Sequence, residues 1–105
     1  MKSFNWNTEK SKILKESRGI CFEDIVFYIE RGDVADDLSH PNQELYPGQR
    51  IMIICVDNYA YLVPYVETED ELFLKTIIPS RKATEKYIRG KHESETIKRR
   101  KGNPG

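Results

Sequence analysis

Phe22, Ile25, Val26 and Ile29 recur at i, i+3, i+4 and i+7, the spacing of one buried helical stripe. Glu23 and Asp24 open that segment, Arg31 stands in its last turn and Gly32 ends it, as the helix dipole and a left-handed stop require. Upstream, Lys2 to Trp6 alternates polar with aromatic residues, which predicts a short strand with Phe4 and Trp6 on one side. Asn7 caps a helix over Thr8 to Ser17, anchored by Ile13 and Leu14 and stopped by Gly19. The joint Arg18-Gly19-Ile20 is short, so the two helices form a hairpin.

The pattern then changes period. Val34 to Leu38 reads as a short edge strand, inside an irregular stretch from Asp33 to Gln49 punctuated by Pro41, Pro47 and Gly48. Ile51 to Val56 is a continuous apolar run, expected of a strand covered on both faces. Asp57-Asn58 is a two-residue turn, since both residue types tolerate positive φ. Tyr59 to Val66 is the next strand, and Pro64, lacking the ladder donor, predicts an edge or a bulge there. After the acidic turn Glu67 to Glu71, Leu72 to Ile78 is the last strand and Ser80 to about Lys91 a final helix. The order β-α-α-β-β-β-β-α predicts an α+β fold. In it an antiparallel meander sheet is packed on one side by an N-terminal helical hairpin and a C-terminal helix.

Composition narrows the classes. With 105 residues, 38% hydrophobic and 32% charged, the chain is expected to form one domain over residues 1–91, followed by a basic, frayed tail over 92–105. No apolar run approaches a membrane span and the N-terminus lacks the apolar core of a signal peptide, so the expected location is the cytoplasm. Cys21 and Cys55 sit in apolar stretches and read as buried free thiols. His40 and His92 complete no zinc-ligand spacing, and neither a metal nor a cofactor is expected. The zero net charge hides an asymmetry. Residues 1–80 carry 8 basic and 14 acidic side chains, whereas residues 81–105 carry 9 basic and 3 acidic ones. That polarity implies an anionic partner for the C-terminal part, or attraction between the two parts.

Three blocks resemble a known family. Phe4-Asn5-Trp6-Asn7 followed by Lys10 resembles the F-x-W-D/N-x-x-K opening of the BrnT family of bacterial toxins. Arg18-Gly19-Ile20-Cys21-Phe22-Glu23-Asp24 resembles its H/R-G-I/V-x-F-E-E/D helix joint, and Ile77 to Thr84 its I-I-S-A-R-R/K-A-T ending. The resemblance implies a RelE-like fold and the toxin half of a type II toxin–antitoxin pair. Such a protein is a ribonuclease silenced by a co-expressed antitoxin, typically of ribbon-helix-helix type. The sequence also departs from the pattern. Gln49-Arg50 stands where Glu-Arg is common, Pro79 replaces a serine, and Lys75-Thr76 stands where an arginine is frequent.

Metal-independent RNA cleavage uses the substrate's 2′-hydroxyl as nucleophile, so the protein must position the strand, move protons and stabilise phosphate charge. Arg81, at the strand-to-helix junction, is the first choice for a phosphate clamp, against an ion pair with one of the many carboxylates of residues 1–80. Lys75 shares a strand face with Phe73 and Ile77 by alternation, and either snorkels at the sheet margin or points into the site. Arg50 opens a strand and serves either as a phosphate contact or as an edge charge. His40 has the intrinsic pKa of a general base but sits in the long loop, and Glu23 is either a base or, as a carboxylate at a helix N-terminus, a cap. Lys82, Lys86, Arg89 and Tyr87 on the final helix, with Lys10, are candidate substrate contacts. Tyr59, Tyr61 and Tyr65 are further rings on which a base can stack. The alternative functions are a non-catalytic RNA- or protein-binding module on the same fold and an enzyme of a small anionic metabolite. No Gly-rich phosphate loop supports the last.

Overall fold

The computed structural model describes residues 2–89. Asn7 Oδ1 accepts from Lys10 N at 2.9 Å and starts the first helix; Gly19, at φ 74°, closes it with its N–H on Lys15 O. The chain runs β1 (Ser3–Trp6), α1 (Thr8–Arg18), α2 (Phe22–Glu30), β2 (Val34–Ser39), β3 (Gln49–Val56) and β4 (Tyr59–Glu67). It continues through β5 (Glu71–Leu74), β6 (Ile78–Pro79), α3 (Arg81–Thr84) and a π-helical turn over Glu85–Arg89. The fold is α+β.

The sheet is mixed rather than a pure antiparallel meander. Its order is β1-β5-β4-β3-β2, with β1 parallel to β5 at one edge and β6 paired to β4 beyond β5. The expected last strand is therefore two pieces, both lying against β4 and interrupted at Lys75 to Ile77. That break explains Pro64, which lies in an interior strand instead of an edge. Pro64 pairs with Ile51 on one side, and its carbonyl accepts from Lys75 N at 2.8 Å on the other. A strand residue's N and O point to the same neighbour, so the missing N–H falls where the β5–β6 strand is already broken.

The break also corrects the strand parity. Leu74 and Ile77 are both fully buried in the same core, whereas exposed Lys75 lays its Nζ 5.7 Å over Phe73. Lys75 and Ile77 do not share a face.

Two cores result, one on each side of the sheet. Met52, Ile54 and Val56 of β3 join Val63, Tyr65 and Leu74 beneath the helical hairpin, with Leu14, Phe22 and Ile25 above them. Ile53 and Ala60 face the other way and pack with Ala83, Tyr87 and Ile88. The helices thus lie on both faces, which is why Ile51 to Val56 reads as an unbroken apolar run. Burying a side chain such as Ile54 or Leu74 completely contributes roughly 1.5–3 kcal/mol. Ile13, expected as an anchor, is 55% exposed; the second buried residue of α1 is Ser11, whose Oγ accepts from Phe22 N at 3.1 Å.

The final helix is shorter than its composition predicts, four α-helical residues before the chain loosens into the π turn. The expected continuation to Lys91 and the tail lie outside the described residues. Cys21 and Cys55 are free thiols, half-buried rather than buried. Among the described residues no helix is long and apolar enough to cross a membrane.

Candidate functional site

Ser80 caps α3 with its Oγ accepting from Ala83 N at 3.0 Å. Thr84, only 2% exposed, donates its hydroxyl to Ser80 O and accepts Ala60 N, both at 2.8 Å. With Ser80 N on Ala60 O at 3.0 Å, these bonds fix the short helix to the start of β4. Arg81 is the first helical residue. It projects from this corner into a shallow cleft of about 200 Å³ lined by Tyr59, Arg81, Thr84, Glu85 and Arg89.

Among the described residues Arg81 has no carboxylate within ion-pair distance, although residues 1–80 are acidic. Glu85 and Arg89 form a loose pair at 3.4 Å, both side chains more than half exposed. Such a pair breaks readily when a charged ligand arrives. The cleft thus holds a guanidinium without an ion-pair partner among the described residues, a second one weakly held, an exposed carboxylate and a phenol ring. Glu85 was not read as a site residue, although Arg81, Glu85 and Arg89 stand at spacings of four that would have placed them together.

Arg50 occupies a different place. It pairs across the strands with Ser39 and Tyr65 at the far end of β3. Its Nε lies 3.2 Å from Asp37 Oδ1 and 3.3 Å from Tyr65 Oη, and its Nη2 donates to Asp37 O at 3.1 Å. Tyr65, buried, donates its hydroxyl to Asp37 at 2.8 Å. Burial, then the Asp37 carboxylate, pushes the Tyr65 hydroxyl up to about 12. The Tyr65 hydroxyl and Asp37 in turn raise the Arg50 pKa. Tyr59 and Tyr65 are six residues apart on β4, about 20 Å in an extended strand, so Arg50 and Arg81 do not share a site.

The remaining candidates scatter. His40 organises its loop, accepting from Asn42 N at 3.0 Å on Nδ1 and packing its ring 4.3 Å from Tyr46. Lys86 lies 5.2 Å over Tyr87, and Tyr87 donates to Asp36 Oδ2 at 2.8 Å, which ties the π turn to β2. That bond lowers the Asp36 pKa and raises that of Tyr87. Lys82 is exposed on α3, and Lys10 is exposed on the first turn of α1. Glu23 does not make the cap; its neighbour Asp24 accepts from Cys21 N at 3.0 Å. Burial opposes ionisation of Asp24, but the Cys21 N–H and Lys15 outweigh it and lower its pKa. Burial raises the Cys21 thiol. Among the described residues no group of His, Cys, Asp and Glu is arranged to hold a metal ion.

The three blocks that resemble the toxin family meet in space. Trp6 stacks on Phe22 with ring centroids 6.0 Å apart, and Arg18 Nη1 donates to Ile77 O. Ala83 and Thr84 are buried anchors. Much of what these contacts specify is therefore architecture, and the exposed members of the last block are Ile78, Pro79, Arg81 and Lys82. Comparison with protein-family models, with curated proteins and with solved structures finds no match to this chain.

Proposed function

We propose that this chain is an RNA-cleaving toxin of RelE-like fold, silenced by a cognate antitoxin that covers its Arg81 corner. The observation that carries this reading is the Arg81 guanidinium, held on a pinned strand-to-helix junction without an ion-pair partner among the described residues. In a chain whose first 80 residues are net acidic, leaving such a cation unneutralised fits a site built for an anion.

In this reading Arg81 makes two parallel bonds to a phosphodiester, and Arg89 adds charge once Glu85 releases it. Glu85 then accepts the proton of the RNA 2′-hydroxyl. The O2′–P bond forms, the P–O5′ bond breaks, and the 5′-oxygen takes its proton from water. The products are a 2′,3′-cyclic phosphate and a 5′-hydroxyl, reached without a metal-bound nucleophile. Positioning and charge stabilisation account for most of the rate.

A second reading, a non-catalytic RNA- or protein-binding module, is favoured by one observation. Arg50, the cation on the long strand, is already saturated by Asp37 and Tyr65. Induction of the chain in bacterial cells separates the two. Growth arrest with fragmented RNA, reversed by co-expressing the neighbouring open reading frame, is the outcome expected of the toxin. Unchanged growth with intact RNA favours the module.

A further inference from the structure

A second opening lies near the cleft at Arg81, and two touching rings of β4 stand between them. Tyr59 lines the cleft, and the Tyr59 and Tyr61 rings meet edge to face at 5.6 Å. Tyr61 in turn lines a larger polar groove of about 420 Å³ between the α1–α2 joint and the β3–β4 turn, together with Arg18, Phe27 and Tyr28. Phe27 is 55% exposed, and Tyr28, Tyr59 and Tyr61 are half-buried. The Arg31 guanidinium lies 5.7 and 5.5 Å over the Phe27 and Tyr28 rings, whereas Tyr59 and Tyr61 keep part of their ring surface open to solvent.

The charges around these rings are arranged about the short edge strand β6. Arg18 donates to the carbonyl of Ile77, immediately before β6, and Arg81 follows one residue after Ser80 beyond its end. Their anchor points are four residues apart, at most roughly 14 Å in an extended chain. Neither arginine has a carboxylate within ion-pair distance among the described residues. The groove also holds two acids, Asp24 and Asp57. Lys15 neutralises Asp24 at 3.0 Å, and Asp57 lies in the turn at its margin.

Two guanidinium groups without a carboxylate partner among the described residues, flanking a pair of half-buried aromatic rings, match what an unpaired nucleic-acid strand offers, alternating phosphate charge and free base faces. A duplex hides its base faces and has nothing to place on Tyr59 or Tyr61. We infer that the β6 end of the sheet is a platform for single-stranded RNA: Tyr59 and Tyr61 stack bases, Arg18 holds a phosphate on the hairpin side, and Arg81 holds the next on the cleft side. The platform rests on the ribonuclease reading for its substrate and gives that reading a path for the strand on either side of Arg81.

Binding of a fluorescein-labelled 2′-O-methyl oligoribonucleotide tests the platform without requiring cleavage. Tyr59→Ala lowers affinity about 5- to 150-fold, the range of one lost stacking contact. Tyr61→Leu, which keeps apolar bulk against the core, does the same, and Tyr61→Phe binds like the parent. Arg18→Ala reduces the slope of log affinity against log salt by about 0.7, the mark of one lost phosphate contact; Arg18→Lys restores it. Annealing the oligonucleotide to its complement abolishes binding. Folded Tyr59 and Tyr61 variants that bind like the parent overturn the platform, as does a duplex bound as tightly as the single strand. A parent chain that binds this strand but leaves cleavable RNA intact supports the platform and sinks the ribonuclease reading. RNA cleavage that survives Tyr59→Ala and Tyr61→Leu unchanged does the reverse.

Discussion

Arg50 and Arg81 stand at opposite ends of the same stretch of sheet and have opposite surroundings. Arg50 is hydrogen-bonded to Asp37, Tyr65 and Ser39, so its charge is spent on the protein. Arg81 stands on a corner that Ser80 and Thr84 hold firmly, yet its guanidinium is left without a counter-charge among the described residues. A cation neutralised by its own fold is a structural part. A cation whose backbone is fixed and whose charge is open is equipped to meet a ligand, because little ordering remains to be done on binding.

The corner is the more sensitive end. Thr84→Val keeps the shape but leaves the buried Ala60 N–H without an acceptor, which costs about 1–3 kcal/mol. Chemical denaturation measures that loss, and RNA cleavage falls with it because Arg81 loses its fixed base. Full stability in this variant contradicts the pinning of α3. At the other end, Asp37→Ala removes the acceptor of the buried Tyr65 hydroxyl, leaving it only the Arg50 contact, and lowers stability by about 1–2 kcal/mol. Cleavage by the molecules that remain folded is unchanged; a selective loss of cleavage shows that the Arg50 cluster belongs to the chemistry.

A smaller effect appears at alkaline pH. The fold keeps Tyr65 neutral up to about 12, against an ordinary value near 10. This contribution to stability is complete below pH 10 and is lost as pH rises toward 12. Melting temperatures of the parent chain therefore fall more steeply across that window than those of Tyr65→Phe. Parallel curves contradict the Tyr65–Asp37 assignment. Smallest of all, Arg50→Lys keeps the charge but not the fork-shaped set of donors, and lowers the melting temperature less than Asp37→Ala does.

The elements with a clear period were legible in the sequence. The stripe Phe22, Ile25, Val26, Ile29 became α2, the apolar run became the doubly covered β3, and Asp57 and Asn58 adopt positive φ at 51° and 65°. What could not be read depends on partners distant in the chain. The parallel pairing of β1 with β5, the break opposite Pro64 and the packing of Ala83 on the second face leave no mark on local pattern. The site shows the same division. The placement of Arg81 at a strand-to-helix junction was legible from local pattern. The neutralisation of Arg50 needed the register that sets Ser39 and Tyr65 beside it. The five residues Ser80 to Thr84 carry both kinds of information, the buried anchors Ala83 and Thr84 and the exposed cations Arg81 and Lys82.

The central claim is that Arg81 acts on RNA, and end analysis of labelled RNA incubated with the purified chain in EDTA tests it most directly. The account predicts fragments ending in 2′,3′-cyclic phosphate from the parent chain. It predicts at least about a 100-fold loss of those fragments in Arg81→Ala, the scale of removing one group that stabilises transition-state charge, with the melting temperature unchanged. Equal cleavage by parent and Arg81→Ala, or RNA left intact by the parent, contradicts it.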